Sequence, residues 1–441
     1  MSINSRFIEY FRDTFFQDKE EEFEQFLTAI EQPIPRTIRI KPWHEDSVKS
    51  HLESDGWILD KTNIPRVYSM DRREDFDPLE RRLGFSLDHI VGNFYIQELA
   101  AAHPVDILAE SAIHEDGFLI LDMASSPGGK TTQLTEYYPN SFIIANEPTR
   151  ERIPQLLQNL HRMWTPNVGI TLYPGQYWKK YSETFDRILL DAPCSGEWTL
   201  YKWTDAVKHW HIKNIKEIAR LQTKLLDAWL HALKVWGEMI YSTCSLNLLE
   251  NEWVLDAMRE KYGQSFEILY QKKFWPHIDG TGGFFVAKIR KIASIESEKQ
   301  GERRGTRNEK LTRYRWWIGD WQIDSKYELY EHDKKILAVS GSTEKIPDDI
   351  YFMRFGEEIG KKDGGIFYGD IWISRYIDTA NIPTYKISTE QELDIYLRGW
   401  SIAADCSDGY ILLSYDDTVI WLEYCENWEV QSTFPRDWQR K

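Results

Sequence analysis

Two short runs hold the residues best suited to covalent chemistry. One reads Asp191-Ala192-Pro193-Cys194-Ser195-Gly196, the other Ser242-Thr243-Cys244-Ser245-Leu246. A thiolate is a strong nucleophile, and a second thiol with a carboxyl group beside it can move the protons that nucleophilic catalysis requires. A single cysteine is more often a small buried hydrophobe. Each of these two, however, follows a predicted strand, and if those strands are parallel neighbours both thiols face one pocket. A helix expected to begin near Asn247 would lower the Cys244 pKa through its N-terminal dipole.

A third run, Asp122-Met123-Ala124-Ser125-Ser126-Pro127-Gly128-Gly129-Lys130-Thr131, is a Gly/Pro loop. It is not a P-loop, because Ala124 stands where GxxxxGK[ST] needs glycine. It is not a dinucleotide fingerprint either, because only Gly128 and Gly129 are present. Small residues still let the backbone approach a ligand, and a helix beginning after Lys130 would offer free N–H groups to an anion such as a carboxylate. Glu147 ends the next strand, 19 residues after Gly128. An acid there accepts hydrogen bonds from ribose hydroxyls. A ribose site and a carboxylate site without a pyrophosphate loop point to S-adenosylmethionine.

These residues need elements to hold them. Gly117–Met123, Ser141–Asn146, Val168–Leu172, Asp186–Asp191 and Glu238–Ser242 read as buried strands, with helices expected over 150–163 and 212–235. Late strands are expected near Phe266–Tyr270 and Gly283–Ile289. Such alternation predicts a parallel sheet with helices on both faces, which binds ligands at the carboxyl ends of its strands. The three loops above lie at those ends. Before this block, residues 1–90 mix aromatic, acidic helix with short strands such as Thr37–Ile40. After it, 293–312 has the composition of a linker, and 313–441 is rich in Trp and Tyr, with short strands expected at Asp370–Ile373 and Gly409–Leu413.

The 441 residues carry a formal net charge of −16 and 42% hydrophobic residues. Disorder over the whole length and a membrane-spanning helix are excluded. Four cysteines form no disulfide scaffold and no CxxC pair, so no structural metal is expected, and neither a secretory signal nor a membrane partner is read. A reducing cytoplasm is the expected compartment. The acidic balance argues against non-specific nucleic-acid binding, yet Lys288–Arg315 holds ten cations and four anions. That segment is either a solvated linker or an electrostatic seat for a phosphate backbone.

Taken with Phe94-Tyr95-Ile96-Gln97-Glu98, Ala145-Asn146-Glu147-Pro148 and Gly282-Gly283-Phe284-Phe285-Val286-Ala287, the three loops give the middle of the chain a resemblance to the Sun family of RNA cytosine-5 methyltransferases, most of all its bacterial RsmF-type branch. Tyr396-Leu397-Arg398-Gly399 and Phe434-Pro435 resemble that branch's PUA-like RNA-binding module. The resemblance implies an α/β class I (Rossmann-like) methyltransferase core over 91–292, a small N-terminal α+β domain over 1–90, a basic linker over 293–312 and a mostly-β PUA-like domain over 313–441. It implies that Cys244 is the nucleophile, that Cys194 assists release, that Asp191 hydrogen-bonds the cytosine and that Lys130 tunes Asp191. It places S-adenosylmethionine against Ala124, Ser125, Ser126, Pro127, Gly128, Gly129, Lys130, Glu147 and Asp191. Lys202 matches a basic position that would meet RNA. In three places the chain departs from the family: Pro174 stands near the position of an adenine-contacting aspartate, Lys41 replaces an asparagine, and Ser432-Thr433 lacks the basic-Asn pair that precedes Pro435. The expected substrate is ribosomal RNA, with no obligate protein partner. Transfer RNA is the nearest rival, and an inactive RNA-binding assembly factor or an NTPase are the alternatives of other classes.

Overall fold

The computed structural model describes residues 4–75, 83–110, 117–197, 210–296, 312–313, 317–318, 321–364, 366–416 and 418–435. Near the N-terminus, the Asn4 side chain accepts the N–H of Arg6 and caps α1 (Ser5–Phe15). The following helix α2 (Glu20–Glu31) carries three glutamates in its first turn, where the helix dipole favours them. Phe7, Phe11, Phe23 and Phe26 of these helices pack with Trp210, Leu246, Leu249 and Trp275, and Cys244 borders the same cluster. The aromatic spacing near the N-terminus therefore serves the thiol-bearing loop directly. The rest of this block is β1 (Arg36–Ile40), α3 (Glu45–Ser54), β2 (Trp57–Lys61), β3 (Val67–Arg72), α4 (Leu87–Ile90) and β4 (Phe94–Ile96), whose strands form an antiparallel sheet in the order β2-β3-β1-β4.

The middle of the chain continues with α5 (Leu99–Ala109), β5 (Leu119–Asp122), α6 (Gly129–Tyr137), β6 (Phe142–Asn146), α7 (Ile153–Met163), β7 (Val168–Thr171), β8 (Phe185–Asp191), α8 (Ile212–Ala232), β9 (Leu233–Thr243), α9 (Glu252–Tyr262), β10 (Phe266–Phe274) and β11 (Phe284–Lys291). Five strands run parallel in the spatial order β7-β6-β5-β8-β9. The order reverses at β5, which opens a crevice at the strand tips. Leu119, Leu121, Trp178 and Trp229 fill one face of the sheet, while Ile120, Ile143, Leu156 and Leu160 fill the other. The sheet is not purely parallel as the alternation predicted. The connection between β10 and β11 is too short for a parallel crossover, and both strands run antiparallel to their neighbours.

The helix expected after Lys130 begins one residue before it, at Gly129. The helix expected near Asn247 begins only at Glu252, because Asn247 and Asn251 spend their side chains on neighbouring groups, so no helix dipole acts on Cys244. Lys288, Arg290 and Lys291 of the basic stretch are strand residues tied to Glu238, Glu183 and main-chain carbonyls, not members of an open cationic seat. Residues 297–311 and Lys202 lie outside the described residues.

The C-terminal part is mostly β, with two five-stranded sheets. Asp370–Ile373 is not the expected strand: Ile371–Arg375 forms a 3-10 turn whose Trp372 and Ile373 are both buried, against the alternation a half-exposed strand needs. A disulfide joins Cys406 to Cys425, a single cross-link and not a scaffold. Arg354–Phe355 leaves the C-terminal part and pairs antiparallel with the outer edge of β7, as an eighth strand of the central sheet. Gly169 permits this, since a Cβ there would stand 2.5 Å from the Phe352 ring. No helix among the described residues is long and apolar enough to cross a membrane.

Candidate active site

The loop from Ala124 to Gly128 turns the chain from β5 into α6. Ser125 fixes it from below: its N–H and hydroxyl both reach the Asn146 carbonyl, at 3.0 and 3.2 Å. The Ser126–Pro127 peptide is cis. Gly128 adopts φ +105°, a region that penalises any side chain, and a Cβ there would crowd Leu156 at 3.2 Å. Asp122 lies beneath the loop and accepts the Thr131 hydroxyl at 2.5 Å. Burial, offset in part by Thr131 and Lys130, pushes its carboxyl up to about 7.

Glu147 is 1% exposed. One oxygen accepts the Thr149 N–H at 2.9 Å. The other, Oε2, receives no hydrogen bond, although the Arg152 guanidinium stands 3.2 Å away. A buried carboxylate oxygen in that condition calls for a donor, and the vicinal hydroxyls of a ribose supply one. With the glycine cradle and the first turn of α6, the residues present fit S-adenosylmethionine. Across the crevice, the position of the family's adenine-contacting aspartate holds no carboxylate. Instead Tyr173 stacks on Tyr177 with ring centroids 4.2 Å apart, and its hydroxyl accepts the N–H of Tyr351 at 2.8 Å. Asn146 shapes this turn, bonding the carbonyl and N–H of Tyr173 at 2.9 and 3.0 Å.

The candidate reacting groups meet on the tips of β8 and β9, which pair in parallel. Cys194 Sγ and Cys244 Sγ are 2.6 Å apart, and both thiols are free. Asp191 ends β8; its Oδ2 takes the Lys130 ammonium at 2.8 Å and its Oδ1 the Ser242 hydroxyl at 3.0 Å. Burial opposes the charge of Lys130, but Asp191 and then Asp122 outweigh it, and the ammonium is held above its ordinary pKa. Cys194 is pushed well above the usual thiol range, first by its hydrogen bond with Cys244, then by burial and the charges of Cys244, Glu250 and Asp191. Cys244, Cys194, Asp191 and Lys130 thus form one constellation beside the loop at 124–130.

Sequence spacing missed three residues. Arg39 on β1 reaches into the site, donating to the Gly129 carbonyl at 3.0 Å and pairing with Glu136 at 2.9 Å, both on α6. Glu197 and Glu250 are buried between the two cysteine loops and bond to both. Only Glu197 carried a signal, as the residue directly after Cys194-Ser195-Gly196.

The chain is similar to several known proteins. Residues 112–290 match the family described as 16S rRNA methyltransferase RsmB/F. A ribosomal RNA small subunit methyltransferase F from Psychromonas ingrahamii is 29% identical, over 94% of this chain and 93% of that protein. One of the same name from a Shewanella species is 35% identical over 62% of this chain and 60% of its own. Among solved structures, a methyltransferase homolog protein from Pyrococcus horikoshii is 27% identical with a TM-score of 0.56, covering 66% of this chain and 95% of that one. The NSun6 structure from the same organism, solved with SFG, shares the fold at 21% identity and a TM-score of 0.57, over 66% of this chain and 99% of that one. The stretch matched by the RsmB/F family holds both cysteine loops and the glycine cradle, and over most of its length the chain is similar to ribosomal RNA small subunit methyltransferases F.

Proposed function

We propose that this chain methylates C5 of a cytosine in small-subunit ribosomal RNA through a covalent Cys244 adduct. The observation that carries the reading is the contact of the two free sulfurs at 2.6 Å, beside the Lys130–Asp191 pair. S-adenosylmethionine supplies an electrophilic methyl group when bound. Glu147 would hold its ribose, and the N–H groups of the loop at 124–130 and of the first turn of α6 would hold its carboxylate. The stacked Tyr173–Tyr177 rings would border its adenine.

Cys244 enters as the thiolate and adds to C6. The C5=C6 electron pair moves into the ring and makes C5 nucleophilic, while Asp191, held by Lys130 and Ser242, hydrogen-bonds the ring near N3. C5 would then take the methyl group as the methyl–sulfur bond breaks, the electron pair staying on the sulfur of S-adenosylhomocysteine, which leaves. Cys194 is kept as a thiol mainly by its neighbour. Once Cys244 is a thioether that cause is gone, and Cys194 loses its proton to water. Its thiolate removes the C5 proton, the C5=C6 bond re-forms, and Cys244 leaves as the thiolate. One proton is released per methyl group transferred. The target base must leave its stack to reach the pocket, which favours unpaired or opened RNA.

The test is methyl transfer from labelled S-adenosylmethionine to naked 16S RNA, to small subunits and to transfer RNA, with the modified base read by bisulfite sequencing. Methylation of one cytosine in 16S RNA or the subunit is expected. Methylation of transfer RNA alone changes the substrate. Failure to bind S-adenosylmethionine at millimolar concentration overturns the enzymatic reading in favour of a binding factor.

A further inference from the structure

Lys41 directly follows β1 and lies on the same side of the chain as Arg39, about 7 Å further along. Arg39 grips α6, whereas Lys41 meets Trp164, the residue that ends α7. Lys41 is only 4% exposed. Among the described residues no carboxylate pairs with its ammonium and no acceptor takes its protons. It lies between two indoles, 5.7 Å from the Trp43 ring centroid and 5.5 Å from that of Trp164. The Trp164 indole N–H is buried and has no acceptor either. Trp43 is the opposite: it is 60% exposed, and its ring meets Trp164 edge-on at 6.2 Å. We propose that this cluster is a nucleotide subsite for the RNA substrate, apart from the residues that take the reacting base, in which Lys41 holds one backbone phosphate and Trp43 stacks on an unpaired base of the same strand.

The local charge balance calls for an anion. Arg162 and Arg375 act on Lys41, and neither has an ion-pair partner among the described residues. Their donors go to neutral groups: Arg162 holds the carbonyls of His89 and Phe94 at 2.9 and 3.1 Å, and Arg375 that of Val91 at 2.6 Å. The carboxylates that act on this cluster are already matched, Glu136 by Arg39 and Glu357 by Arg354 and His161. Three cations are thus gathered without a counter-charge of their own, in a chain whose net charge is −16. Burial, then the charges of Arg375, Arg162 and Arg39, hold the Lys41 ammonium well below its ordinary pKa, with Glu136 opposing them. A phosphate beside it supplies what is missing. An exposed indole next to a buried ammonium suits a base joined to a phosphate, whereas an acidic peptide would bring the charge and leave the ring unused. The inference deepens the reading above, because it rests on the substrate being RNA.

The test uses the full chain and a fluorescein-labelled single-stranded RNA of about twelve nucleotides, with affinity read by anisotropy between about 50 and 200 mM salt. Lys41→Met, which keeps the packing and removes the charge, should weaken binding and make the slope of log K against log salt shallower by about 0.7, the share of one phosphate on a single strand. Trp43→Ala should weaken binding about tenfold at an unchanged slope, and Trp43→Phe should restore most of that loss. A duplex of the same sequence should not feel the Trp43 change. The proposal is overturned if the wild type does not bind the RNA, if Lys41→Met leaves the slope where it was, or if Trp43→Ala leaves the affinity where it was. A polyglutamate peptide that binds the wild type and loses its hold in both variants would give the site to an acidic protein and overturn it too. Should Lys41→Met fail to fold, the two variants at the exposed Trp43 decide. Methyl transfer is read separately. RNA binding with these dependences and no methylation sinks the proposed function alone, while methylation by both variants at the wild-type KM sinks the subsite alone.

Discussion

Lys130 and Asp191 stand 2.8 Å apart, one at the start of the helix after β5 and the other at the tip of β8. Asp191 in turn takes the Ser242 hydroxyl from β9, so one hydrogen-bonded chain crosses three adjacent strands. The Lys130 side chain is 13% exposed and that of Asp191 34%. The pair is wet enough on one side that its main contribution is orientation, not stability. Lys130→Met should lower kcat by about 100-fold, as loss of a group that orients a catalytic carboxylate does. The melting temperature should change little, and a steady-state methylation assay beside a thermal melt separates the two effects.

The two thiols should fail in different ways. Cys244→Ala should lower methyl transfer by more than about 1,000-fold, with no covalent product. Cys194→Ala should leave the first half-reaction and trap a protein–RNA adduct that survives denaturant on a gel. Appreciable turnover by the first variant would remove Cys244 from the nucleophile's role.

Glu147 offers one oxygen that no protein donor uses. Glu147→Gln should weaken S-adenosylmethionine by about 10- to 100-fold, the cost of charge-assisted hydrogen bonds to the ribose. Calorimetric titration reads this directly, and an unchanged Kd would dissociate Glu147 from the cofactor.

Asp122 gives the cofactor-free fold a pH dependence of known sign. Its folded pKa of about 7 lies above the unfolded value of about 4. Its stabilising contribution is therefore complete below pH ~4 and is lost as the pH rises to ~7. Asp122→Asn should remove that slope. Compared with wild type, the variant should gain about 2–4 kcal/mol between pH 4 and pH 8 in urea unfolding.

The Cys406–Cys425 bond spans a sequence separation of 19 residues. Closing a loop of that size stabilises by about 3 kcal/mol in the chain-entropy account. Cys406→Ala, or a reductant, should lower the unfolding transition of the C-terminal sheets by that order and leave cofactor affinity at the central sheet unchanged.

The reacting constellation was legible because its members are punctuation. Asp191, Cys194 and Cys244 directly follow apolar strand runs, and Gly128-Gly129 marks the turn that breaks them. Residues that act across long sequence separations carried no such mark. Arg39 reads as an alternating strand residue, and only the packing of β1 against α6 brings it to the Gly129 carbonyl. Glu250 reads as a surface acid, 53 positions after Glu197. The helix expected at Asn247 failed because that side chain bonds two buried carboxyl groups in place of capping a helix. Arg354–Phe355 is too short to read as a strand at all, and it exists because β7 offers it an unpaired edge.

That last pairing bears on how the chain can be cut. A fragment ending near residue 292 would keep every reacting group and still lose its border. Val168–Thr171 would then present a bare row of amides flanked by the newly uncovered Phe142 ring, which is the kind of margin that glues one molecule to the next. The central sheet therefore depends on its distant tail to keep this edge from open pairing.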